Sequence, residues 1–123
     1  MRYKKRHLEN GVAQAVIVNS GNANTCNANG YDIANHMCLI AAETLGVKAE
    51  DVIVASTGVI GQPLPIQPIL KACVYMKGHL TKEGGTDAAE AIMTTDTVKK
   101  EWLCRWSLTA RPLQSAVLQR AAV

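Results

Sequence analysis

The 123-residue sequence contains no phenylalanine, and aromatic residues make up only 4% of it. A core must therefore be assembled mainly from Ala, Val, Ile and Leu, a composition that suits tightly packed α/β layers. No C-x-x-C pair occurs: Cys26, Cys38, Cys73 and Cys104 are scattered, with no histidine beside them at zinc-ligand spacing. That argues against a metal site and for reduced thiols. No apolar run reaches membrane-spanning length, and the basic opening MRYKKRHLENG is not followed by the apolar segment of a secretory leader. The expectation is an unexported, cytoplasmic protein with no membrane partner. Acidic residues are missing from one region only. All ten Asp and Glu lie at or before Glu101, and beyond it Arg105, Arg111 and Arg120 supply the whole net charge of +3. The body is charge-balanced, so no nucleic-acid partner is expected.

What is present is a hydrophobic content of 48%, enough to exclude disorder, in a chain of one domain's length. AQAVIV at 13–18 reads as a buried strand, and the Asn- and Gly-dense NSGNANTCNANG at 19–30 as a loop of Asx-type turns. Ile33, Met37, Ile40, Ala41 and Leu45 then recur at helical spacing over 31–45, with Gly46 as the stop. DVIVA at 51–55 repeats the strand signal and STGVIG at 56–61 the polar loop. Pro68 fits only the first turn of a second helix, whose stripe of Ile66, Ile69, Leu70, Cys73, Met76 and Leu80 runs towards Gly84-Gly85. Thr86 is the expected N-cap of a short third helix, DAAEAIM. Two strands cannot cover these helices. The fold class is therefore α/β, as an incomplete layered domain whose further strands are missing or supplied from elsewhere.

Chemistry in such folds gathers where strands end, because backbone N–H groups are unpaired there and glycine admits a ligand. Ser56-Thr57-Gly58 has the groups to hold an oxyanion, a Thr hydroxyl and a Gly N–H, although a plain turn has the same composition. The amides of NSGNAN can equally serve only the loop's own backbone. His7, His36 and His79 have no carboxylate or nucleophile at a telling spacing and read as surface or helix-flank residues. Thr94-Thr95-Asp96-Thr97 is either a polar contact set or a helix stop.

Taken together, AVIVNSGNANTCNANG, DVIVASTGVIGQPLP and DAAEAIMTTDT resemble, in order and spacing, consecutive motifs of the ornithine acetyltransferase family, also called glutamate N-acetyltransferases. The resemblance covers residues 7 to 101. It implies a precursor that cuts itself before a threonine, giving an α chain and a β chain whose new N-terminal Thr carries the acetyl group. Acetyl would pass from N-acetylornithine to that Thr and then to glutamate, splitting one hard step into two, with no metal and no organic cofactor. Thr57 and Gly58 match the family's oxyanion pair and Thr94 its substrate-binding threonine. The implied partners are these small molecules and the family β chain, with self-association through the apolar surface an incomplete sheet leaves open. No residue here matches the nucleophile, so the chain by itself is expected to be inactive. The alternative is a non-catalytic α/β protein that binds a small molecule or a partner through the same loops. A self-cleaving aminopeptidase of similar architecture fits STGVIG and MTTDT less well.

The acid-free segment has its own explanation. Reading each codon from its third base, starting at Trp102, permits the sequence DGKTVTIGGIAKGSG in the shifted frame, which resembles the family's next strand and its lysine segment. The chain thus divides into 1–101, a partial α-chain domain, and 102–123, a tail translated out of frame. Such a tail was never selected for this fold, so Trp102, Leu103, Trp106, Leu108 and Leu113 are expected to find no packing site and the backbone to be irregular or falsely helical.

Overall fold

A computed structural model describes residues 7 and 9–99, together with the backbone of 101–108 and 111–118. The chain divides into two units, Met1–Thr81 and Lys82–Val123.

The first unit is built on a parallel pair of strands, β1 (Ala15–Asn22) and β2 (Val52–Val59), in unbroken register from Ala15↔Val52 to Asn22↔Val59. The crossover between them is helix α1 (Gly30–Leu45) followed by a 3₁₀ turn over Ala49–Asp51. Parallel strands need such a crossover, and it places a helix on one face of the pair. Side chains alternate across a strand. Ile17 and Val52 are buried against α1, while Val16 and Val18 on the other face are 63% and 42% exposed. Met37, Cys38 and Val52 are the largest fully buried side chains. With no phenylalanine available, a methionine and a cysteine fill the centre. Gly46 ends α1 as expected: it sits at φ 71°, and its N–H donates to the Ala42 carbonyl.

Helix α2 (Ile66–Met76) has Pro68 in its first turn and buries only Cys73. It stops at Met76, eight residues short of the expected Gly84, and Leu80 is 61% exposed. The apolar spacing outran the helix because Lys77-Gly78 follows directly, and glycine is costly inside a helix.

In the second unit, helix α3 (Gly85–Ala91) carries Thr86 inside the helix and Gly84, with no side-chain bond, at the N-cap. The expected threonine cap is therefore not formed. Strands β3 (Glu101–Leu108) and β4 (Arg111–Leu118) pair antiparallel from Glu101↔Leu118 to Leu108↔Arg111. The described backbone of the tail is thus a pair of strands, neither irregular nor helical. Aromatic and branched residues favour a pleated ladder whatever frame they came from, and a local antiparallel pairing closes with little chain entropy. The expectation for Trp102, Leu103, Trp106, Leu108 and Leu113 concerns side chains that lie outside the described residues. The fold is an incomplete α/β domain, and no helix among the described residues is long and apolar enough to cross a membrane.

At the start of the β pair, Asp51 is only 4% exposed and accepts hydrogen bonds from the side chains of Asn10 (2.8 Å) and Gln14 (2.6 Å). The Gln14 N–H also donates to the Asp51 carbonyl at 2.8 Å. The amide of Asn10, then that of Gln14, with Lys48 adding to them, hold the carboxyl below its ordinary value against the opposing effect of burial. A depressed carboxylate stabilises above its unfolded value and loses that contribution as pH falls through the folded one. Thermal melts of the chain and of Asp51→Asn should therefore converge below pH 4 on the wild-type side only, with the variant nearly flat in that range. Met37→Ala should cost about 2–5 kcal/mol in denaturant unfolding, the usual range for emptying a core methionine site.

Candidate functional site

Both strands run further than their composition suggests. β1 continues through Asn19-Ser20-Gly21-Asn22 and β2 through Ser56-Thr57-Gly58-Val59, so the expected polar loops are in part the ends of the ladder itself. Register sets Ser20 beside Thr57 and Gly21 beside Gly58. Gly21 has φ 111° and Gly58 φ 125°, values that side chains rarely adopt. A methyl group on Gly58 would overlap the Gly21 carbonyl and lie 2.6 Å from the Asn22 nitrogen. Glycine is required there by backbone approach as well as by φ. Alternation puts Thr57 and Ser20 on the face opposite Ile17 and Val52, the face that α1 does not cover.

Asparagine side chains tie the two strand ends together. The Asn19 Nδ2 donates to the Asn22 carbonyl at 2.8 Å, and the Asn22 Nδ2 donates to the carbonyls of Gln62 and Pro63 at 3.3 and 3.2 Å. The Ala23 N–H donates to the Val59 carbonyl at 2.9 Å, and the Gly61 N–H to that of Thr25 at 3.4 Å. Further along, the Asn24 Nδ2 donates to the Gly30 carbonyl at 2.7 Å. Asn19 Oδ1, Asn24 Oδ1 and Asn27 Nδ2 are buried and lack a hydrogen-bond partner. The reading of these amides as servants of the backbone holds, but one of them serves a segment 40 residues away, which sequence alone gives no means of pairing.

Beside this lies a concavity of about 340 Å³, walled by β1 from Ile17 to Asn22 and by Pro65, Pro68, Ile69 and Cys73 at and within α2. Thr57 and Gly58 are not among its walls. Burial pushes the Cys73 thiol up, which keeps it protonated and unreactive at neutral pH. Thr94 belongs to the second unit, in the segment after α3. Nearby in that unit Lys99 Nζ meets Glu90 Oε1 at 2.9 Å. Of the histidines, His36 and His79 are exposed, whereas His7 Nδ1 lies 3.2 Å from the Val52 carbonyl. Among the described residues no group of His, Cys, Asp and Glu could hold a metal ion. Gly58→Ala should destabilise the chain by about 3 kcal/mol or more, since overpacking and an unfavourable φ add; Gly78→Ala, where a Cβ meets nothing, is the control in the same chemical denaturation.

The sequence model of the ArgJ family matches residues 1–118. The arginine biosynthesis bifunctional protein ArgJ of Caldanaerobacter subterraneus is 46% identical over 104 residues, 84% of this chain and 26% of that protein. The Symbiobacterium thermophilum ArgJ is 50% identical over 98 residues, 79% of this chain and 24% of its own length. ArgJ 1 of Clostridium acetobutylicum is 37% identical over 118 residues, 95% and 29% of the two chains. The chain thus spans about a quarter of the length of these relatives. The crystal structure of the Bacillus halodurans ArgJ protein superposes with a TM-score of 0.84 at 32% identity, covering 98% of this chain and 64% of that one. Ornithine acetyltransferase from Mycobacterium tuberculosis, solved with ornithine, gives 0.76 at 34% identity, covering 81% and 56%. With the family match running through nearly its whole length, this chain belongs to the ArgJ family.

Proposed function

We propose that Thr57 and Gly58 are the oxyanion donors of an acetyl-transfer site, which passes acetyl from N-acetylornithine to glutamate through an acyl-threonine. The observation that supports this reading is the close approach of the Gly21 and Gly58 backbones at the strand end that carries Thr57 and Gly58. In such a site Thr57 and the Gly58 N–H take up the negative charge that develops on the acetyl oxygen as the tetrahedral intermediate forms. Thr94 contacts the amino-acid substrate. In this reading the threonine that carries the acetyl group belongs to the family's β chain, which is the implied partner. A structure solved with ornithine in the same family supports a small-molecule amino-acid ligand. No metal or organic cofactor enters this scheme.

Residues 102–123 we read as out of frame. The family match nevertheless extends to residue 118, so resequencing the codons for Lys99 to Trp106 decides the point.

Two assays test the transferase reading. The purified chain should transfer no acetyl from N-acetylornithine to glutamate. In an intact relative, replacing the threonine that corresponds to Thr57 by Ala should lower kcat about 100-fold, the scale for one oxyanion donor. Unchanged turnover would leave Ser56-Thr57-Gly58 as a strand end with no part in the chemistry.

A further inference from the structure

We infer that Asn22 is the positioning residue of the Thr57–Gly58 pair: its side-chain amide fixes the strap 59–63 and, through it, the orientation of the Gly58 peptide. The inference rests on the reading of Thr57 and Gly58 as oxyanion donors. A glycine at φ 125° does not hold its own peptide plane, because the absence of a Cβ leaves both signs of φ open to it. Its orientation must be imposed from both sides. The β1–β2 ladder does this on the N-terminal side and, on the C-terminal side, only as far as Asn22↔Val59, one residue past Gly58.

On the C-terminal side apolar burial cannot. Val59 is 51% exposed and Ile60 63%, so the chain leaving Gly58 is not pinned by packing. Hydrogen bonds take over that role, and they come from the other strand end. Gln62 and Pro63 present two adjacent carbonyls, and the NH₂ of Asn22 has two hydrogens to give. Asn22 is itself held, its carbonyl by the Asn19 amide and the next N–H by the Val59 carbonyl. Asn19 and Asn22 therefore form a relay from the edge of β1 to the strap. An aspartate at position 22 has the same shape but only acceptors, and would face two carbonyls with none to donate. Donation, not shape, is what the site requires.

The test is amide hydrogen exchange by NMR on the ¹⁵N-labelled full chain and its Asn22→Asp and Asn22→Ser variants. The Ala23 and Gly61 amides, which bond across the strap, should exchange about tenfold faster in both variants. Tenfold corresponds to about 1.4 kcal/mol, the loss of one ordinary hydrogen bond. The amides of Met37 and Ala41 in α1 should stay within about twofold, which separates a loosened strap from a destabilised fold. The Gly58 amide resonance should move in the Asp variant while the α1 resonances stay. The serine variant, whose hydroxyl has one hydrogen for two carbonyls, supplies the readout if the aspartate does not fold. Unchanged exchange at Ala23 and Gly61, or uniform acceleration that includes α1, overturns the role given to Asn22. Titration with acetate separates this from the parent reading. A wild-type Gly58 amide that ignores acetate removes the oxyanion assignment, while a strap that loosens without Asn22 still supports the tether.

Discussion

The structure of the first unit depends on the contact between two backbones, Gly21 against Gly58, at the far end of a parallel ladder. Hydrophobic burial brings β1, β2 and α1 together, but it acts mainly on the first half of each strand, where Ile17 and Val52 face Met37 and Cys38. Beyond Val18 and Ala55 the strands carry Asn, Ser, Thr and Gly and end on the half-exposed Val59, none of which adds much to a core. Main-chain pairing and side-chain amides hold that second half. The two halves of one ladder thus differ in what holds them, apolar burial in the first and hydrogen bonds in the second.

The opposite end of the ladder is built differently. Asp51 gathers Asn10 and Gln14, so a carboxylate closes the entrance to both strands where glycine shapes the exit. A charged acceptor suits the entrance because several amides converge on it. Between these ends the core is modest, with one methionine, one cysteine and one valine fully shielded. The outer face, with Val16 and Val18 exposed, fits a sheet that is only part of a wider layer.

Much of this was legible in the sequence, and the failures have physical causes. The α1 period, its Gly46 stop and both strand starts follow from local pattern, because a buried face imposes its period directly. The ends of the strands were not legible. Asn19-Ser20-Gly21-Asn22 and Ser56-Thr57-Gly58 have the composition of loops, and only the presence of each strand beside the other makes them strand. The same reason hid Asn22, whose partners at Gln62 and Pro63 are adjacent only once the register is known. Leu80 misled by continuing a helical stripe after the helix had stopped, and Thr86 by standing two places past the cap position, which Gly84 holds. In the described part of the tail, local strand preference prevailed over the expectation of an irregular or falsely helical backbone. Thr57, Gly58 and Thr94 were singled out through family likeness alone, since their residue types fit a turn as well as a site.

The glycine pair also bears on how the chain finds its fold. Two short apolar strands such as AVIV and VIVA offer several alignments of nearly equal hydrophobic gain, and a slip by one residue would turn each side chain to the wrong face. Only when Gly58 stands against Gly21 can the backbones close at this end, because Thr57 or Val59 in that place would carry a Cβ into the facing carbonyl. The two glycines therefore act as a register lock, selecting one alignment among those that the apolar residues leave degenerate.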